Sequence, residues 1–274
     1  MKILEKKILG ESKDTRITRI RVAAPEICQK ALAGQFVVVM AGEEGERIPL
    51  TIVECDPQQG ALTLIFQETG LTTRLLGGLN AGDSLYALVG PLGHPTEIKE
   101  YGKVILVGGG VGIAEIYPVA KAMRGAGNQV TTILGARTKP LLILEEELRG
   151  VSHECLIATD DGSYQRKGFT TDILAELLQK DTYALVYAVG PLPMMRKAFL
   201  IAQGHGVKTI VSLNALMVDA TGMCGCCRVT VGGKTLFSCV DGPEFEAGLL
   251  DWDELIKRTC MYREQEKHIC QLSR

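Results

Sequence analysis

This chain lacks any long apolar run. Its longest apolar stretches, near Val104–Val107 and Leu141–Leu144, fall far short of the ~20 residues a helix needs to cross a bilayer, so no membrane span is expected. Met1–Lys7 alternates charged and apolar residues and has no apolar core of signal-peptide length, which points to the cytoplasm. Charge of one sign is lacking too. Lys and Arg total 30 against 32 Asp and Glu, a formal net charge of -2, so nothing draws the chain toward nucleic acid or an anionic membrane. Histidine is scarce: His94, His153, His205 and His268 are scattered, and none is assigned a catalytic role. What remains is ordinary for a globular protein, 46% hydrophobic and 23% charged over 274 residues, long enough for two or three small domains.

Cysteine is the residue with a pattern. There are 9, an odd number, and Cys224, Cys226, Cys227 and Cys239 crowd together. In a cytoplasmic chain such crowding suggests metal binding rather than a disulfide framework. Plant-type [2Fe–2S] proteins space their ligands C-x4-C-x2-C with a distant fourth Cys. Cys224, Cys227 and Cys239 fill the last three places, and Asp219 stands in the first. A carboxylate can bind iron but is harder than thiolate, so it should alter the cluster's potential. Gly222 and Gly225 suit a tight loop, and Arg228–Phe237 reads as a hairpin that returns Cys239 to it. The competing reading is a zinc site completed by Cys226 or Cys260, although zinc motifs usually pair two CxxC units. Cys28, Cys55, Cys155, Cys260 and Cys270 are isolated and read as ordinary thiols.

Three regions follow from the rhythm of the chain. Residues 1–98 carry short β-rich runs at Arg16–Ala23, Gln35–Met40, Leu50–Val53, Ala61–Gln67 and Ser84–Val89, as in an antiparallel β barrel or sandwich. Gly90–Pro95 is expected to stop regular structure. Residues 99–212 alternate apolar strands with helical stretches, predicting an α/β domain with a parallel sheet. Residues 213–274 form the cysteine-bearing segment and end in a helical tail over 253–272.

The strand Lys103–Val107 runs into Gly108-Gly109-Gly110-Val111-Gly112, and a helix follows. Glycines there let the backbone approach a pyrophosphate at a helix N-terminus, with Gly109, Gly110 and Gly112 as the candidate contacts. The usual ribose-binding acid is missing after the next strand, which ends in Arg137. Arg137 is equally readable as a phosphate or ribose contact and as a surface charge. Asp160 is a turn signal first and a ligand contact second. Gly190, Pro191 and Met194 form another strand-to-helix turn at the edge where open α/β sheets bind ligands.

Arg47-Ile48-Pro49-Leu50-Thr51-Ile52, Gly90–Gly93, Gly109–Ala114 and Gly190–Met195 occur in one order. Together they resemble the flavin strand, domain junction, nicotinamide loop and C-G-x-P-x-M turn of ferredoxin-NADP reductase-like flavoproteins, with Val189 where many relatives have Cys. With the cluster stretch Asp219–Gly233 and Cys239–Phe245 added, the chain looks like a dihydroorotate dehydrogenase electron-transfer subunit. It looks more like the small subunit of electron-bifurcating NADH-dependent ferredoxin:NADP oxidoreductases, because the dihydroorotate type carries Cys at the place of Asp219. The resemblance implies FAD on the first domain, held by Arg47, Pro49, Leu50 and Thr51, with Ile65, Phe66 and Gln67 beside the ring and Thr72 and Thr73 at the phosphates. It implies NAD(H) on the second domain, and a larger partner subunit with its own FAD and [4Fe–4S] clusters that reduces ferredoxin and NADP. By residue type alone, Arg47 could be a plain surface charge. A sulfide- or glutamate-linked reductase subunit and a non-catalytic zinc-binding subunit are the other readings.

Overall fold

A computed structural model describes residues 1–43 and 45–261. Packing divides the chain into two compact units: Met1–His94 with Asn214–Pro243 and the described residues from Leu250 on, and Pro95–Leu213 with Glu244–Leu249. The sequence suggested three regions. The cysteine-bearing segment instead belongs mostly to the first unit, and a short piece of it joins the sheet of the second.

The first unit opens with β1 (Ile3–Ser12), β2 (Thr15–Ala23), the single turn α1 (Pro25–Cys28), β3 (Phe36–Met40), β4 (Ile48–Thr51), β5 (Glu54–Asp56), β6 (Ala61–Gln67), α2 (Leu71–Gly78) and β7 (Ala87–Leu92). They make two antiparallel sheets, ordered β1-β2-β6-β5 and β4-β3-β7. β1 was not anticipated. It is an edge strand whose half-buried Lys6 and exposed Lys7 read as polar sequence, the kind of charge that keeps an edge from pairing further. Gly90–Leu92, expected to stop regular structure, continues β7. Pro91 is tolerated because β7 is an edge strand, where a missing N–H removes no obligatory ladder bond. Pro49 sits on the opposite edge strand, β4, for the same reason.

β3 is apolar at every position, Phe-Val-Val-Val-Met, because both of its faces are covered. Val37 and Val39 join Ile20, Val22, Leu62, Leu64 and Phe66 in the barrel core. Phe36 and Val38 point the other way and pack with Ala215, Met217, Ala220, Cys227 and Cys239. At about 1.5–3 kcal/mol for each fully buried side chain, this second face is a substantial reason for the cysteine segment to stay on the barrel. The backbone adds to it: His94 N–H donates to Gly242 O at 2.7 Å.

The second unit runs β8 (Lys103–Gly109), α3 (Ile113–Gly125), β9 (Gln129–Ala136), α4 (Glu145–Val151), β10 (Glu154–Thr159), β11 (Arg166–Lys167), α5 (Thr170–Lys180), β12 (Leu185–Val189), α6 (Leu192–Gly204) and β13 (Lys208–Ser212). The remaining elements are the hairpin strands β14 (Arg228–Val231) and β15 (Lys234–Phe237), then β16 (Glu244–Glu246) and α7 (Trp252–Thr259). The large sheet is ordered β11-β10-β9-β8-β12-β13-β16, parallel except that β16 pairs antiparallel with β13. From β8 the chain steps outward through β9 to β10, then returns to β12 on β8's other side. The gap between the C-terminal ends of β8 and β12 is therefore the topological switch point, where such sheets bind ligands. Val104–Val107 are wholly buried, as expected of a strand covered on both faces. The expected tail helix ends at Thr259, and the rest of that expectation, with His268 and Cys270, lies outside the described residues.

β16 is fixed to the sheet by a buried carboxyl. Glu244 Oε1 accepts from Tyr187 Oη at 2.7 Å and from Thr96 Oγ1. Burial pushes this carboxyl above the usual carboxylate range, with the two hydroxyls opposing. A carboxyl raised in the folded state favours folding while protonated, and that contribution is lost as pH rises through the raised value. Glu244→Gln keeps both accepted hydrogen bonds without the buried charge. Its melting temperature is expected to gain on that of the parent as pH rises from acid to neutral; a difference independent of pH would contradict this.

Candidate functional site

The predicted flavin residues lie on β4, β6 and the start of α2. Arg47 is exposed at the turn into β4. Along β4, Ile48 and Leu50 pack against the barrel core. Pro49 and Thr51 stand opposite Val38 and Phe36, and directly opposed residues share a sheet face. Pro49 and Thr51 thus share the face of β3 on which Cys227 and Cys239 pack. Leu50 turns to the core, so only its backbone is offered on that face. The same alternation places the Phe66 ring in the core beside Leu62 and Leu64, leaving its backbone for the other face, while Ile65 and Gln67 point the other way.

The two threonines are used within the fold. Thr73 Oγ1 accepts from the N–H groups of Thr69 and Gly70, each at 3.0 Å, and so closes the start of α2. Thr72 Oγ1 donates to Glu46 Oε2 at 2.6 Å. What this corner offers a phosphate is therefore the first-turn N–H groups of α2 and the charge of Arg47. Glu46, which the sequence did not single out, ties the segment before Arg47 to that turn.

The glycine-turn candidates after β8 and β12 meet at the switch point. Gly109 ends β8, Gly110 opens a single 3-10 turn, and α3 follows Gly112. A Cβ on Gly112 would lie 2.6 Å from Val189 O, so the two turns approach too closely for any side chain there. Gly190 has φ +152, in the region that favours glycine, and Met194 Sδ lies 2.5 Å from where a Cβ of Gly109 would be. The loops after β8 and β12 are thus packed backbone to backbone, with Pro191 exposed and Met194 half-buried against Gly109. Arg137 and Asp160 lie together at the ends of β9 and β10. Asp160 N–H donates to Ala136 O at 3.1 Å, and Asp161 N–H to Arg137 O at 3.3 Å. Burial raises the Asp160 carboxyl above its usual range, the Arg137 charge opposes this and Asp161 adds to it.

The four candidate iron ligands form two close pairs. The Asp219 carboxylate accepts from the backbone N–H of Thr221 at 2.9 Å and of Cys224 at 3.1 Å. The Thr221 bond, above all, holds Asp219 below the usual carboxylate range, and the Cys224 thiol also bonds to it. Cys227 and Cys239 are both buried. Burial pushes the Cys239 thiol up to about 12, the adjacent Cys227 thiol adds to this, and Gly222 N–H, donating to its sulfur, opposes it. Such a thiol ionises at neutral pH only against a metal's charge. Cys226 lies beside Cys224. Among the described residues no three His, Cys, Asp or Glu side chains converge as ligands of a single ion. A dinuclear centre takes two ligands per iron, and two pairs are the arrangement present. Ser238, between β15 and Cys239, supplies a second sign of fit: its hydroxyl is buried with no hydrogen-bond partner, and its N–H donates to Cys227 O at 3.0 Å. A buried unpaired hydroxyl costs about 1–3 kcal/mol, and a cluster sulfur is the kind of acceptor that would relieve it. These donors suit a [2Fe–2S] group.

A barrel with a flavin-type strand, a glycine turn at the switch point of a parallel sheet and a paired-ligand loop define an electron-transfer oxidoreductase of the ferredoxin-reductase type. Residues 106–199 match the oxidoreductase NAD-binding domain, and residues 214–251 match the iron–sulfur cluster binding domain of dihydroorotate dehydrogenase B. The chain is 50% identical over 246 residues to the dihydroorotate dehydrogenase B electron-transfer subunit homolog of Thermotoga maritima, covering 90% of this chain and 87% of that one. It is 32% identical over 257 residues to the corresponding electron-transfer subunit of Geobacillus thermodenitrificans, covering 90% and 96%. A solved structure of an NADH-dependent reduced ferredoxin-NADP oxidoreductase, described in terms of flavin-based electron bifurcation, matches with a TM-score of 0.91 and 47% identity over 98% of this chain and 96% of that one. The chain belongs to the family of dihydroorotate dehydrogenase B electron-transfer subunits and their homologues. It is an electron-transfer subunit of a flavin-based oxidoreductase with a larger partner, and its cofactors are FAD, NAD(H) and a [2Fe–2S] cluster. Among the described residues no helix is long and apolar enough to cross a membrane.

Gly112→Val tests the switch-point turn. Its side chain would collide with the Val189 carbonyl, so NADH affinity is expected to fall by at least about tenfold, or ~1.4 kcal/mol, with FAD content unchanged. Calorimetric titration with NADH checks this, and an unaltered Kd would contradict it.

Proposed function

We propose that this chain is the small subunit of a cytoplasmic NADH-dependent ferredoxin:NADP+ oxidoreductase. Its larger partner carries a further FAD and [4Fe–4S] clusters and handles ferredoxin and NADP+. The observation that carries this reading is Asp219. A carboxylate stands where the dihydroorotate-type subunits place a thiolate, and it is already seated on two amides of the ligand loop. The likeness to the bifurcating enzyme over 98% of the chain supports it.

In this reading Arg47 and the first turn of α2 balance the charge of the FAD pyrophosphate, while Pro49, Leu50, Thr51, Ile65, Phe66 and Gln67 border the ring, Leu50 and Phe66 through their backbone. Gly109, Gly110 and Gly112 admit the pyrophosphate of NAD(H) to the start of α3. Gly190, Pro191 and Met194 shape the neighbouring turn, and Arg137 and Asp160 meet the ribose end. Asp219, Cys224, Cys227 and Cys239 hold the irons. When bound, the cofactors supply the chemistry, FAD taking a hydride from NADH and yielding electrons singly to the [2Fe–2S] centre. Asp219 donates less charge to iron than a thiolate would, which sets this centre apart from an all-cysteine one.

A second reading, an electron-transfer subunit of dihydroorotate dehydrogenase, is favoured by the names of the curated relatives. The complex isolated from the native cell separates the two. It is expected to reduce NADP+ when given NADH and reduced ferredoxin together. Reduction of NAD+ by dihydroorotate, with no NADP+ reduction, would put the chain with the orotate enzymes instead.

A further inference from the structure

Two guanidinium groups bond to the iron-ligand loop without belonging to the ligand set. Arg258, in the last turn of α7, donates from Nη2 to the Cys226 carbonyl at 2.9 Å. Arg228 donates from Nη1 to the Gly225 carbonyl at 3.2 Å. Gly225 and Cys226 are the two residues between Cys224 and Cys227, so consecutive carbonyls of the ligand loop each face an arginine.

α7 is built to make the longer of these reaches. Asp251 N–H donates to Thr230 O at 2.9 Å, which pins the helix start to β14, and the Asp251 carboxylate caps the helix by accepting from Glu254 N–H at 2.9 Å. Trp252 and Leu255 are buried. Arg258 continues their face at three-residue spacing, which carries it back over the loop. It lines a small cavity with Leu255, Cys226 and Arg228. A last-turn cation complements the helix dipole wherever it points. A half-buried guanidinium on the peptide joining Cys226 to the ligand Cys227 does something more specific. In a trans peptide the Cys227 N–H points opposite to the Cys226 carbonyl, so bonding the carbonyl fixes and polarises that amide.

We propose that Arg258 is a positioning residue that raises the reduction potential of the iron–sulfur centre. It does so by holding the Cys226–Cys227 peptide and by keeping a permanent positive charge beside a group that becomes more negative on reduction. The proposal rests on residues 219–239 being the cluster site.

The test is an EPR-monitored redox titration of the full chain in its native complex, with iron and sulfide measured on each sample. Arg258→Gln removes the charge and retains a donor. It is expected to keep its iron and to shift the midpoint potential downward, and Arg258→Lys, which keeps the charge, is expected to restore most of that shift. An Arg258→Gln potential equal to that of the parent would overturn the proposal while leaving the cluster site standing. Loss of iron from both variants would overturn it too, because Arg258 would then serve only to hold the loop. A parent complex in which residues 219–239 carry no centre would overturn the site reading and this proposal together.

Discussion

The molecule depends on one strand having two buried faces. Val37 and Val39 complete the barrel core, while Phe36 and Val38 are covered by the segment that bears Cys227 and Cys239. Through ordinary apolar packing and strand pairing, β3 holds β4 and the cysteine segment at a fixed spacing. Register extends the effect sideways, because Pro49 and Thr51 on β4 oppose Val38 and Phe36 and so share the face that carries the cysteine segment. A polar residue at Phe36 or Val38 would face a buried apolar surface without a partner, a far larger penalty than loss of a surface contact.

The second unit solves a different problem with the same economy of parts. Strand order reverses between β8 and β12, and glycine at Gly112 and Gly190 lets the backbones of the two bordering loops come together. Side chains there would hold the loops apart. β16 then joins this sheet through Glu244, Tyr187 and Thr96, a polar latch within a largely apolar framework.

Much of this was legible from residue pattern. β6 occupies its expected bounds, and the glycine turn after β8 sits between strand and helix as its motif required. The cysteine spacing led to a loop and hairpin that exist as β14 and β15. Other features were hidden for physical reasons. The all-apolar run of β3 signalled two covered faces but not what covered the second, since that partner lies far along the chain. α2 was unreadable because Thr72, Thr73, Gly77 and Gly78 are poor helix formers, and its start depends on Thr73 bonding the backbone before it. Strand alternation, which no motif records, decided that Phe66 and Leu50 face the core. Glu46, Ser238 and Arg258 left no sequence signal, because their roles come from contacts with residues distant in the chain.

The proposed function depends on Asp219, Cys224, Cys227 and Cys239 holding a pair of irons. Anaerobic isolation of the full chain, with iron, labile sulfide and flavin determined together, addresses this most directly. The account predicts about two irons and two sulfides per chain, together with FAD and an EPR signal that appears on reduction by NADH. Stoichiometric zinc, or a flavin-bearing chain without iron or sulfide, would contradict it.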